Sequence, residues 1–76
     1  MSYQYLVVYE KSSDGWGAYV PDLPGLGAVG DTLEEVQQLI REGTMLHLES
    51  LKEHGEPIPK PAAKSDYMNV DILLSA

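Results

Sequence analysis

A chain of 76 residues with a net charge of -7 and no cysteine is too short for two domains, and its charge has the wrong sign for binding nucleic-acid phosphates. Neither disulfides nor thiolate-bound zinc can stabilise so small a core. Since 43% of the residues are hydrophobic, as in an ordinary globular protein, we expect one soluble domain over residues 1–76, stabilised by packing and by self-association.

The first half of the chain has the pattern of three strands. β-branched and aromatic residues over 3–11 predict the first strand, and the turn residues after it lead into a second strand over 16–20. Pro21 and Pro24 then interrupt regular pairing, and a short third strand is predicted over 26–29.

A capping box predicts the start of a helix. Thr32 precedes Glu35 by three residues, so each side chain can satisfy a backbone donor of the first turn, and Asp31 suits the positive end of the helix dipole. Gly55 and the prolines after it predict the end of the helix. The expected apolar stripe consists of Val36, Leu39, Ile40, Gly43, Leu46, His47 and Leu51.

Alternating apolar residues over 67–74 predict a last strand. The order β-β-β-α-β makes this an α+β fold, an antiparallel sheet with one long helix on one face. In the first strand, Tyr5, Val7 and Tyr9 share one face, and Leu6 and Val8 share the other.

Neither face of the first strand is polar, and one helix can cover only one of them. The other needs a second copy, a partner protein or the loop 56–65, and a homodimer or higher oligomer is the leading explanation. The alternative is a set of half-exposed tyrosines with solvated hydroxyls. The candidate interface residues are Tyr5, Val7, Tyr9, Trp16, Tyr19 and Asp22.

The sequence offers no convincing catalytic, metal or cofactor site. Residues 25–30 spell G-x-G-x-x-G, but prolines precede the pattern and Asp31 lies where phosphates would bind, so these glycines are expected to serve turns. His47 and His54 are two helical turns apart, and no Asp, Glu, His or Cys lies three or four residues after His47 to share a metal. No serine is paired with a base, and the middle of the first strand, residues 5–8, lacks the carboxylate of a two-metal nuclease. We therefore expect a binding protein and not an enzyme.

Several motifs together point to one family. P-D-L-P-G at 21–25 is followed by G-D-T at 30–32, an amphipathic helix and the exit G-E-P-I-P at 55–59. With these motifs the chain resembles the HicB-like antitoxin family from residue 3 to about residue 59. Leu26 and Val36 replace the family's usual cysteine and alanine. The motif residues are Pro21, Asp22, Leu23, Pro24, Gly25, Gly30, Asp31, Thr32 and Glu35.

The resemblance implies a partly degraded ribonuclease-H-like fold without a nuclease site. It also implies a partner, the small basic toxin HicA, which degrades messenger RNA. Fuller family members add a DNA-binding domain, which is not expected in a chain that stops at Ala76. The alternative is a stand-alone homo-oligomer with a structural or small-molecule-binding role. Since no signal peptide or membrane span is recognisable, we expect a cytoplasmic protein with no direct contact to membrane or nucleic acid.

Overall fold

A computed structural model describes residues 2–73. Three strands, β1 (Val8–Ser12), β2 (Gly15–Tyr19) and β3 (Gly27–Gly30), precede one helix, α1 (Leu33–Glu53). The strands form an antiparallel sheet in the order β1-β2-β3. The predicted α+β fold with three strands and one long helix is therefore confirmed.

The first strand is shorter than predicted, because pairing begins only at Val8, the partner of Tyr19. Beyond Tyr19 the neighbouring chain reaches Pro21, which has no N–H to donate to a ladder. Residues 3–7 therefore precede β1 without belonging to the sheet.

The predicted last strand is not formed by residues 67–73, which have no regular secondary structure; Leu74 lies outside the described residues. A strand needs a partner strand for its backbone groups, and within the described chain this segment has none. Within residues 2–73 the observed order is β-β-β-α, in place of the predicted β-β-β-α-β.

The core lies between the sheet and the helix, which packs against β2 and β3. Leu23 and Val36 are fully buried, and three more residues complete the core: Ala18, Val20 and Ile40. The predicted apolar stripe is wrong at Leu39 and Leu46, which are 40% and 67% exposed, because a sheet of three short strands covers only a narrow strip of the helix.

Both helix ends follow the sequence signals. The Thr32 side chain accepts a hydrogen bond from the Glu35 N–H at 3.2 Å. At the other end, Gly55 has a φ of 68°, and the N–H groups of Gly55 and Glu56 donate to the carbonyls of Lys52 and Leu51. These two hydrogen bonds form a Schellman motif, in which glycine adopts the left-handed backbone conformation.

Replacing Thr32 with Ala should lower the free energy of unfolding by about 1 kcal/mol, because the Glu35 N–H loses its acceptor. Thr32→Ser keeps the side-chain oxygen and should stay close to wild type. Urea denaturation followed by circular dichroism measures both variants. Equal stability of Thr32→Ala and wild type would contradict this role for the cap.

Candidate partner-binding surfaces

The first candidate surface is a groove beside β1, on the helix side of the sheet. Because the helix packs against β2 and β3, side chains of residues 3–9 remain partly open on this side. They line a groove of about 520 Å³ together with residues of the helix. We call this the edge groove; its main lining residues are Tyr3, Tyr5, Val7, Tyr9, Ile40 and Met45.

The predicted interface residues are divided between the two faces of the sheet. Tyr5, Val7, Tyr9 and Trp16 pack against the core from the helix side, so the helix half-covers the face on which they lie. Tyr19 is exposed on the opposite face, because neighbouring residues of a strand point to opposite sides. The structure therefore does not gather these residues into one patch.

The opposite face of the sheet is the second candidate surface. Tyr19 pairs with Val8 and Gly27, and Gly17 pairs with Val29; paired residues share a face of the sheet. Tyr19 and Val29 are exposed there. This uncovered face is partly apolar, as the sequence predicts for the side without a helix.

Trp16 lies near the start of β2, and its partners on the neighbouring strands are Lys11 and Gly30. The Lys11 Nζ is 5.5 Å from the centre of the Trp16 ring, a distance at which a cation is attracted to the face of an indole. Trp16 is thus half-buried with a charged neighbour and lies outside the edge groove.

Asp22 holds the chain that follows the helix. Its Oδ2 accepts hydrogen bonds from the N–H groups of Ala62 and Ala63, at 3.0 and 3.1 Å. The Tyr5 hydroxyl donates to the carbonyl of Pro59. These three bonds fasten residues 56–63, which we call the arm, to the body of the domain.

The surroundings of the Tyr5 hydroxyl shift its pKa. Burial raises its pKa, with further contributions from Tyr3 and from the negative charge of Asp22. A tyrosine hydroxyl is already protonated at neutral pH, and the raised pKa extends to more alkaline pH the range over which it remains a donor to Pro59. Tyr5 thus combines a structural role in holding the arm with a place in the lining of the edge groove.

Replacing Asp22 with Ala should raise the rate of amide hydrogen exchange at Ala62 and Ala63 by about 10-fold, because both N–H groups lose their acceptor. Asp22→Asn should show a smaller increase, since its amide oxygen still accepts a hydrogen bond. Exchange followed by NMR measures both variants, with the buried helix residue Ile40 as an internal reference. Unchanged exchange at both alanines would show that other contacts hold the arm.

The third candidate surface is a row of side chains on the exposed side of the helix, which we call the outer seam. Its residues follow one another at alternating steps of four and three, so they lie along one line of the helix. All are exposed. The outer seam consists of Glu35, Leu39, Glu42, Leu46 and Glu49.

Sequence reasoning assigned the two leucines of the outer seam to the core and therefore missed this surface. The available signal was the repeat of seven that relates Glu35 to Glu42 and Glu49, and Leu39 to Leu46. Helix α1 carries five glutamates against one arginine and one lysine, so its charge is strongly negative. The seam can therefore offer both carboxylates and apolar side chains to a basic partner.

The described residues contain no group of three or more His, Cys, Asp or Glu that is placed to hold a metal ion. Over the same part of the chain, no helix combines the length and the apolar character needed to cross a membrane. The G-x-G-x-x-G segment begins in a turn, in which Gly25 has a φ of 86°, and its last four residues are strand β3.

The sheet, the helix and the motifs between them define a member of a known family. A family model described as "HicB_like antitoxin of bacterial toxin-antitoxin system" matches residues 5–71. The chain belongs to this HicB-like antitoxin family, and the resemblance drawn from its motifs is confirmed.

Two curated proteins are similar to the chain. An uncharacterized 14.9 kDa protein from the rep-hol intergenic region of Haemophilus phage HP1 is 37% identical over 65 residues, which cover 86% of this chain and 49% of the phage protein. UPF0150 protein Ta0767 of Thermoplasma acidophilum is 39% identical over 62 residues, which cover 80% of this chain and 90% of that protein. The chain thus spans about half the length of the phage protein. No solved structure matches it significantly.

Proposed function

We propose that this chain is an antitoxin that binds and neutralises a small, basic, messenger-RNA-degrading toxin of the HicA type. It acts by binding and not by catalysis. Family membership over residues 5–71 supports the antitoxin role. The observation that carries the choice of a basic partner is the outer seam, where exposed glutamates alternate with exposed leucines along one line of the helix.

The charge of the outer seam suits a basic toxin. Glu35, Glu42 and Glu49 follow each other at steps of seven residues, about 10 Å apart along the axis. An extended row of like charge attracts an oppositely charged partner over long range and raises the rate of encounter. The net charge of -7 acts in the same direction, and it disfavours direct contact with nucleic acid.

The two leucines of the outer seam supply the apolar part of the proposed contact. Leu39 and Leu46 lie between the glutamates and are exposed. Apolar side chains surrounded by charged ones form the usual centre and rim of a protein interface. We place the encounter in the cytoplasm, where a toxin that degrades messenger RNA acts.

Recovery of the partner is the first test. The tagged chain is expressed in its native host, captured at low salt, and its bound proteins are identified by mass spectrometry. The proposal expects a small basic protein, and co-expression of that protein with the chain should relieve the growth arrest that the protein causes alone. Recovery of the chain with only further copies of itself would favour the stand-alone homo-oligomer instead.

Reversing two charges of the seam should weaken binding of the recovered toxin by about 10- to 100-fold, because like charges then face each other. The variant is Glu42→Lys with Glu49→Lys, and calorimetric titration measures its affinity. Wild-type affinity should also fall as salt rises, since charges are screened beyond about 8 Å at physiological ionic strength.

The matched control for the charge reversal is Glu10→Lys with Glu56→Lys. Both residues are exposed and lie outside the helix, and both double variants change the net charge from -7 to -3. The control should keep most of the wild-type affinity. Equal losses in the two variants would mean that only net charge matters and that the outer seam is not the binding surface.

A further inference from the structure

The last part of the described chain leaves its large apolar side chains exposed. Residues 64–73, which we call the tail, expose their large hydrophobic side chains by 63 to 99%. The radius of gyration is 15.9 Å, against about 11 Å for a compact chain of this length. The tail therefore extends away from the domain, and its large apolar side chains remain mostly exposed.

The tail has the pattern of a strand that lacks its sheet. Met68, Val70 and Ile72 alternate with Asn69 and Asp71, so one side of an extended tail is wholly apolar. The other side carries Asn69 and Asp71 between Tyr67 and Leu73. Such an alternation is typical of a strand with one buried face. Nothing within residues 2–73 buries that face.

β1 is an edge strand of the sheet and can pair with one more strand. Because the strand order is β1-β2-β3, one side of β1 has no neighbouring strand within the described residues, and its outward N–H and C=O groups can accept another strand. The edge groove lies along this side, with Tyr9, Val7 and Met45 among its lining residues. A strand added there has its inner side chains directed into the groove.

The arm fixes the place at which the tail leaves its own domain. Three bonds fix the arm to Tyr5 and Asp22. Its prolines, Pro57, Pro59 and Pro61, favour a stiff extended chain. Beyond this fixed point the ten residues of the tail span about 33 Å when extended.

We propose that two copies of this chain form a dimer by exchanging tails, so that residues 67–73 of each copy pair with the free side of β1 in the other. Met68, Val70 and Ile72 fill the partner's edge groove, while Asn69 and Asp71 remain outside. The exchange is symmetric, because each copy both donates a tail and accepts one. It goes beyond toxin binding and uses a different surface from the outer seam.

Light scattering on the purified full chain at micromolar concentration gives the first readout. The expected mass is about twice the 8.4 kDa of one chain. Val70→Asp with Ile72→Asp should give a monomer, because the charges cannot enter the groove. The control, Asn69→Ser with Asp71→Asn, changes the outer side of the same segment and should remain a dimer.

Cross-linking identifies which copy accepts the tail. Since the chain has no cysteine, Glu10→Cys marks the middle of β1 and Asn69→Cys marks the tail, both on the side away from the groove. The two single variants, one with a longer tag, are mixed, unfolded, refolded together and treated with a short bifunctional thiol reagent. Exchange predicts a product that joins the long and the short chain.

Three results would overturn the proposal. They are a monomeric wild-type chain, a dimer that persists in the variant with two aspartates, and a refolded mixture of the two single cysteine variants in which no product joins the long and the short chain. Circular dichroism confirms that each variant keeps its helix. Because no toxin is present, failure of tail exchange leaves the proposed antitoxin role standing.

Discussion

Replacing Leu23 with Ala should lower the free energy of unfolding by about 2 to 5 kcal/mol, the usual cost of a cavity left by a buried leucine. Leu23 is fully buried between the sheet and the helix. The free energy of unfolding of a domain is only about 0.05 to 0.15 kcal/mol per residue, so this one substitution removes a large part of the domain's stability. Urea denaturation followed by the single tryptophan measures the loss.

Leu46→Ala is the matched control for Leu23→Ala, because it removes the same atoms from a side chain that is 67% exposed. Its stability should stay within about 0.5 kcal/mol of wild type. Toxin affinity should fall more in Leu46→Ala than in Leu23→Ala, since Leu46 belongs to the outer seam and Leu23 does not. Similar stability losses in the two variants would contradict the assigned core.

Replacing Gly15 with Ala should destabilise the sheet by about 1 to 3 kcal/mol through overpacking. A Cβ at Gly15 would lie 2.5 Å from the carbonyl oxygen of Gly30. This neighbour is backbone, so β2 and β3 must separate before the methyl group fits. Thermal unfolding followed by circular dichroism measures the effect as a lower Tm.

Gly17→Ala is the control on the same strand. Its added Cβ meets only the Ala28 carbonyl oxygen at 3.8 Å, an ordinary contact, and the stability should change little. A Gly15→Ala variant as stable as Gly17→Ala would show that the end of β2 can move freely.

The helix could be predicted almost to the residue because its signals are local. Thr32 and Glu35 are three residues apart, and Gly55 lies two residues beyond the last helical residue, Glu53. The backbone at each end is satisfied by atoms close in sequence, so the surrounding fold cannot easily override these signals.

Local pattern could not decide whether the last strand finds a partner or whether the leucines of the outer seam are buried. Residues 67–73 alternate like a strand, but pairing depends on an edge that another part of the molecule must offer. Leu39 and Leu46 repeat like core residues, but whether they are buried depends on the width of the sheet. Both errors arise from treating apolar periodicity as proof of a partner within the same chain.

The role of Asp22 was equally hidden, because its hydrogen-bond partners lie 40 and 41 residues further along the chain. The sequence indicated a turn with an acidic residue, but only the fold shows which N–H groups donate to its carboxylate. The motif residues 21–25 therefore combine a local task, the turn, with a distant one, holding the arm.

The bonds of Asp22 to the arm also determine where mechanical load enters the domain. A pull on the tail reaches Ala63 and Ala62 first, and through them Asp22, before it reaches the end of the helix. Asp22 is the immediate neighbour of Leu23, which anchors the turn in the core. Tension on the C-terminal chain is therefore resisted by the interior of the domain, and the last helical turn is shielded from unwinding.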